Sequence, residues 1–241
     1  MSGSELPIEA AQFVSPAHYV DSDSMEVQAF VLSALLDMVP DISKKAKAIR
    51  LFEAVRDGIR YDPYTFALHA EAYRASMIAG MGASFCVPKA ILLAACLRAV
   101  GIPAALGFAD VRNHLNTPKL AELMGTDLFI YHGYVQLWLD DKVFKVTPAF
   151  NVELCQRFGV KPLIFDGEHD ALFHEFDEQD QRHMEYVNDR GLFVDAPMDE
   201  FLKAFSETYP KLEDFNRNRI AALGASGFDA DFEKSKEDSI A

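Results

Sequence analysis

Residues 82–103 read GASFCVPKAILLAACLRAVGIP: a cysteine, a proline two positions on, then an apolar run from Ala90 to Val100 broken only by Arg98. The run predicts a helix that begins close to Cys86 and ends at Gly101. Pro88 is tolerated in a first helical turn, where its missing N–H removes no helical bond. Gly101 can close the helix in a left-handed turn, and Pro103 stops any continuation. A helix that is apolar nearly all round belongs at the centre of its domain. Its start is chemically distinct, because unpaired N–H groups and the helix dipole favour negative charge there. Both effects are expected to lower the thiol pKa, and the thiolate is the nucleophile. The same N–H groups could receive the oxyanion of a tetrahedral intermediate. Cys96, deep in the run, and Cys155, further along the chain, are expected to be structural.

On the C-terminal side the period changes. HGYVQLWL (132–139), a short acidic turn at Asp140-Asp141-Lys142 and VFKVTP (143–148) predict a β-hairpin closed by Pro148. Residues 163–165 and 191–194 are shorter strand candidates. Residues 198–223 read as helix broken near Pro210. On the N-terminal side, residues 25–39 predict an apolar helix that is core and is stopped by Pro40. A second helix follows a capping candidate at Asp41 or Ser43. Its apolar face is Ala48, Leu51, Phe52, Val55 and Ile59, with Lys44, Lys45, Lys47 and Arg56 outside. Helices first and strands after imply an α+β domain. A single domain over residues 1–225 and a polar, disordered tail over 226–241 are expected.

The 241 residues carry 23 Lys and Arg against 37 Asp and Glu, a formal charge of −14. Such a surface repels phosphate backbones and anionic lipid heads, so neither nucleic acid nor membrane is expected as a partner. Half the chain is apolar, enough for a sizeable core. No secretory leader or membrane-length apolar run is visible, and none of the three cysteines forms a CxxC spacing, so a cytoplasmic location is expected. No Gly-rich loop follows a strand, and no cofactor is called for. His169, Asp170, His174 and His183 sit in an acidic stretch without the spacing of a metal site, and they read as solvated loop residues. Asn113 and His114 are pocket candidates on position alone.

A thiol nucleophile needs a base, and His132 stands at the mouth of a strand. Residues 82–103, with Cys86 opening a helix that ends in RAVGIP, resemble the nucleophile helix of transglutaminase-like domains. HGYVQLWL followed by FKVTP resembles that family's histidine strand and the strand carrying its Asp-Pro. Upstream, VRDGIRYD (55–62) resembles the segment that precedes the nucleophile region. The resemblance covers roughly residues 45–150 and implies a papain/transglutaminase-like core, with N-terminal helices and a central nucleophile helix packed on an antiparallel sheet. It also implies acyl transfer or hydrolysis through a Cys86 thioester, with His132 as acid and base and a peptide or small-molecule amide as substrate. The chain departs from the family at Thr147, which stands where the family has its aspartate. The hairpin is expected to place residue 147 across from His132, where a hydroxyl could fix the imidazole tautomer but not stabilise imidazolium. Asn151 and Asp166 are alternative orienting residues. Two other readings are a catalytically inactive transglutaminase-like binding module and a metal-dependent hydrolase built on residues 166–183.

Overall fold

The computed structural model describes residues 8–39, 41–113, 117–172 and 184–221. In chain order its elements are α1 (Ile8–Ala11), α2 (Met25–Leu35), α3 (Lys44–Gly58), β1 (Arg60–Tyr61), α4 (Ala75–Ile78), β2 (Ala83–Ser84) and α5 (Cys86–Ala99). There follow β3 (Ala104–Asn113), α6 (Pro118–Met124), β4 (Leu128–Leu139), β5 (Lys142–Val146), α7 (Val152–Phe158), β6 (Met184–Phe193), α8 (Met198–Thr208) and α9 (Pro210–Ala221). The class is α+β. Four antiparallel strands form a sheet in the order β5-β4-β3-β6, and β1 pairs in parallel with β2 just ahead of α5.

Helix α5 is buried from Cys86 to Arg98, as an all-round apolar helix must be. It packs on β4 and β3, with α2, α3 and α4 around it. Gly101 ends it at φ +71°, its N–H on the Arg98 carbonyl and the Ile102 N–H on the Leu97 carbonyl, so the orphan carbonyls of the last turn are satisfied. Two buried cations anchor the helix. Arg98 donates to the carbonyls of Ser15, Ala104 and Val194, tying the N-terminal segment, β3 and the exit of β6 together. Lys89, fully buried, donates to the carbonyls of Arg56 (2.9 Å), Ile59 (2.6 Å) and Ala149 (2.7 Å).

The hairpin is present as β4 and β5 with a two-residue turn, Leu139 opposite Lys142 and Asp140 at φ +53°. Ser43 caps α3, and Ala48, Leu51, Phe52, Val55 and Ile59 are all buried. Four expectations need correction. Arg56 is buried, because its guanidinium reaches the Leu163 carbonyl and the neighbouring Asp57. Only Val27 and Val31 of α2 are buried, one turn apart, while Met25 and Leu36 are exposed, so the 25–39 stripe is core along one narrow edge. Residues 163–165 form no strand, and Phe165 instead inserts between Phe52 and Phe144. The strand expected at 191–194 is the end of a longer one, β6. The expected tail at 226–241 lies outside the described residues. No helix among the described residues is long and apolar enough to cross a membrane.

Candidate active site

Cys86 is the first residue of α5. Its N-cap is Phe85, whose side chain cannot cap, so the first N–H groups remain free to face the sulfur. Strand β4 comes down on this helix start at Gly133. A Cβ there would lie 3.0 Å from Val87 Cα and 3.3 Å from both Ala90 Cβ and the Cys86 carbonyl oxygen, an approach that only glycine permits. The contact sets His132, the neighbour of Gly133, near the helix start that carries Cys86. The two residues, far apart in sequence, line one cavity of about 40 Å³.

Burial dominates the thiol. It pushes the Cys86 pKa up to about 11, against the opposing pull of N–H groups from Gly133, Val87 and Cys86 itself and of the Lys89 charge. The lowering expected from the helix start is therefore real in sign but smaller than desolvation. Cys86 is only 9% exposed and His132 5%. Cys86 is thus a neutral thiol at ordinary pH, and His132 lines the same cavity.

The cavity has two walls. Tyr61, Phe85, Val87 and the β4 residues Phe129, Ile130 and His132 form one, with Leu120 and Met124 of α6 beside them. Phe201, Phe205, Tyr209 and Leu212, from α8, α9 and the link between them, form the other. Phe129, Ile130 and His132 break the two-residue alternation of a strand because β4 carries a bulge here. Ala109 pairs with His132 but Val111 with Phe129, and Tyr131 stands at φ +54°. The strained residue is held from both sides. The Asp110 carboxylate accepts the Tyr131 N–H (3.0 Å) and is itself paired with Arg190 (2.6 Å), whose guanidinium lies 4.0 Å over the Tyr131 ring. The Tyr209 hydroxyl accepts the Ile130 N–H and donates to the Leu128 carbonyl, both at 2.7 Å. None of Asp110, Arg190 and Tyr209 was singled out in the sequence, because a bulge has no fixed sequence signature.

The three orienting candidates are placed differently. The hairpin register pairs Val135 with Val146, which continues to Thr147 opposite Tyr134, two positions from the point facing His132. Thr147 is thus a diagonal neighbour of the histidine, at a typical Cβ separation of about 7 Å. Its hydroxyl is buried and makes no hydrogen bond among the described residues. Asn151 is buried too, but its Oδ1 accepts the Tyr61 N–H. Asp166 lies in an exposed turn, where the His169 ring and the N–H groups of Glu168 and His169 hold its carboxyl well below the usual range. Its bonds are spent within its own loop.

No three metal-binding side chains converge among the described residues. His169 is engaged with Asp166, and Asp170 accepts the Lys145 N–H. His174, His183 and His114 lie outside the described residues. Asn113 is the last residue of β3, paired with Met184. Cys96 and Cys155 are buried free thiols away from the cavity lining. A wider recess between α2 and α3, lined by Phe30, Arg50 and Asp57, contains neither Cys86 nor His132.

With this geometry in place, residues 37–148 match the transglutaminase-like superfamily, so the resemblance read from the nucleophile helix and the histidine hairpin holds over that core. Among solved structures, the chain is similar to a candidate cysteine protease from Cytophaga hutchinsonii, at 14% identity and a TM-score of 0.45 over 78% of this chain and 55% of that one. It is also similar to an arylamine N-acetyltransferase from Nocardia farcinica, at 12% identity and a TM-score of 0.48 over 82% of this chain and 74% of that one. The chain thus spans little more than half of the first of these proteins. No curated protein matches the sequence. The match to the superfamily ends at residue 148, so Phe201, Phe205, Tyr209 and Leu212 belong to this chain's own C-terminal part.

Proposed function

We propose that the chain is a cysteine-dependent acyltransferase or hydrolase in which Cys86 forms a thioester and His132 moves the protons. The observation that carries this reading is the shared cavity: a thiol at a helix start, backbone N–H groups on its sulfur, and His132 lining the same cavity next to the Gly133 contact. The thiol proton passes to His132 as sulfur attacks the carbonyl carbon, and helix-start N–H groups receive the oxyanion. His132 then protonates the leaving group and activates water or an amine to release the acyl group. Thr147, as the diagonal neighbour of His132, is the proposed orienting residue. Its buried hydroxyl is uncommitted and could take an imidazole N–H after a small rotation.

A second reading, an inactive binding module, draws on specific observations: the small cavity, the raised thiol pKa and Thr147 in place of a carboxylate. Acylation by p-nitrophenyl acetate, followed by intact mass and peptide mapping, separates the two. The enzyme reading expects an acetyl adduct on Cys86 that turns over. Cys86→Ala abolishes it, and His132→Ala slows it by roughly 10²- to 10⁴-fold. Ester turnover that persists in Cys86→Ala would overturn the Cys86 mechanism, and neither adduct nor turnover in the wild type would favour the binding module.

A further inference from the structure

The cavity around Cys86 also limits what it can accept. Its lining contains no Asp, Glu, Lys or Arg. Apart from Cys86 and His132, its polar groups are those of Tyr61 and Tyr209, and the Tyr209 hydroxyl is committed to the β4 backbone. The C-terminal wall is a packed aromatic cluster. Phe205 stacks on Phe66 at 3.9 Å between ring centroids, with Phe201 at 5.5 Å and Tyr209 at 4.7 Å. An ionised acyl group here would lose its hydration with no counter-charge to meet it, a cost of several kcal/mol. An apolar group instead gains roughly 0.8 kcal/mol per buried methylene. A space of about 40 Å³ holds roughly three water-sized groups. The free volume therefore suits a short chain, and Phe205 and Leu212 are among the apolar side chains that bound it.

Resting on the Cys86–His132 reading, we propose that the acyl donor carries a short, uncharged aliphatic acyl group of about two to four carbons, and that Phe205 and Leu212 set its length. Each acylation forms the Cys86 sulfur–carbon bond and breaks the bond from the acyl carbon to the leaving oxygen. The thiol proton travels through His132 to that oxygen. Water then forms the new carbon–oxygen bond as the carbon–sulfur bond breaks, and His132 returns a proton to sulfur. A free carboxylic acid and the original thiol result.

The test compares p-nitrophenyl acetate, butyrate, octanoate and hemisuccinate on the full chain, reading the Cys86 adduct by mass spectrometry. Acetate and butyrate are expected to acylate Cys86 at least ~10-fold faster than octanoate or the anionic hemisuccinate, a difference of about 1.4 kcal/mol. Phe205→Ala should raise the octanoate rate relative to acetate by a similar factor and leave hemisuccinate slow. Leu212→Ala, on the neighbouring helix, serves the same purpose if Phe205→Ala does not fold. Hemisuccinate reacting as fast as butyrate would overturn the proposal while leaving the Cys86 nucleophile in place. So would a chain-length preference that neither variant changes. Absence of any Cys86 adduct with all four esters would overturn the nucleophile reading, and this proposal with it.

Discussion

The two walls of the Cys86 cavity are built differently. The wall of α5 and β4 is held by polar anchors and close backbone contact: the Lys89 ammonium on three carbonyls, and Gly133 against Val87 and Cys86. The wall of α8 and α9 is held mainly by stacked rings and by one phenol hydroxyl. Polar anchors fix positions to fractions of an ångström, whereas apolar packing fixes volume and tolerates sliding. On the proposed function, the contrast puts the chemistry on the rigid wall and access on the adaptable one. It can be broken from either side.

Lys89→Met attacks the rigid wall and should have the largest effect. It leaves the carbonyls of Arg56, Ile59 and Ala149 buried without a partner, each at roughly 1–3 kcal/mol, so a loss of at least about 3 kcal/mol is expected in urea unfolding. A loss below about 1 kcal/mol would mean that the ammonium is no anchor. The charge state carries a second test. Burial pulls the Lys89 pKa from 10.5 down to about 7. On burial alone, the unfolded chain would keep a proton between those pH values that the folded chain has lost, and stability would rise with pH across that window. Three acceptors within 2.9 Å, however, need three N–H donors, which only the ammonium has. The difference in stability between wild type and Lys89→Met is therefore expected to stay flat from pH 7 to about 9.5.

Gly133→Ala comes next. The added Cβ meets backbone at 3.0 Å, so strand and helix must part by a few tenths of an ångström. A stability loss of about 1–3 kcal/mol is expected. A larger consequence is expected for Cys86 acylation, roughly 10- to 100-fold slower because the imidazole moves with the strand. Acylation unchanged against wild type would show that His132 is placed by something other than this contact.

These two residues also mark what the sequence could reveal. The helix of residues 86–99 and the hairpin of residues 128–146 were legible because the first is an apolar run between Pro88 and Gly101, broken only by Arg98 from Ala90 onward, and the second alternates, with its own stop signals. So was the meeting of Cys86 and His132 at one cavity, because the motif order announces it. Strand β3 was not, since Ala104, Ala105, Gly107 and Ala109 give no alternation. Gly107 is there because the Tyr134 ring lies across it, where a Cβ would come within 2.1 Å of the ring. Lys89 was quoted within the motif yet gave no sign of burial, which depends on carbonyls from three distant segments. The raised thiol pKa was hidden for the same reason: it comes from desolvation, to which the wall of α8 and α9, the roof of the cavity, contributes. Thr147 falls one residue beyond the end of β5, and continuing the strand's register puts it two positions from the residue facing His132, an offset that the sequence does not show.

Tyr209→Phe probes a polar tie between the walls, and its effect should be the smallest. The hydroxyl bonds the Ile130 N–H and the Leu128 carbonyl, so its removal leaves both without that partner at a cost of about 1 kcal/mol. The bulge itself should persist, because Asp110 still holds the Tyr131 N–H and Arg190 still covers its ring. What loosens is the hold of the roof on the bulge. Burial by that roof contributes to a Cys86 pKa of about 11, so a looser roof admits water and lets the helix-start N–H groups lower it. Iodoacetamide alkylation of Cys86 at pH 8 is then expected to accelerate several-fold, its pH midpoint moving below that of the wild type, while Cys96 stays unreactive. Stability should respond in the matching sense. A thiol raised from 9.0 to about 11 favours the folded state below pH 9 and loses that contribution as pH climbs towards 11. Tyr209→Phe should flatten this loss. If alkylation and its midpoint are unchanged, ring packing alone closes the roof and the phenol is only a local bond.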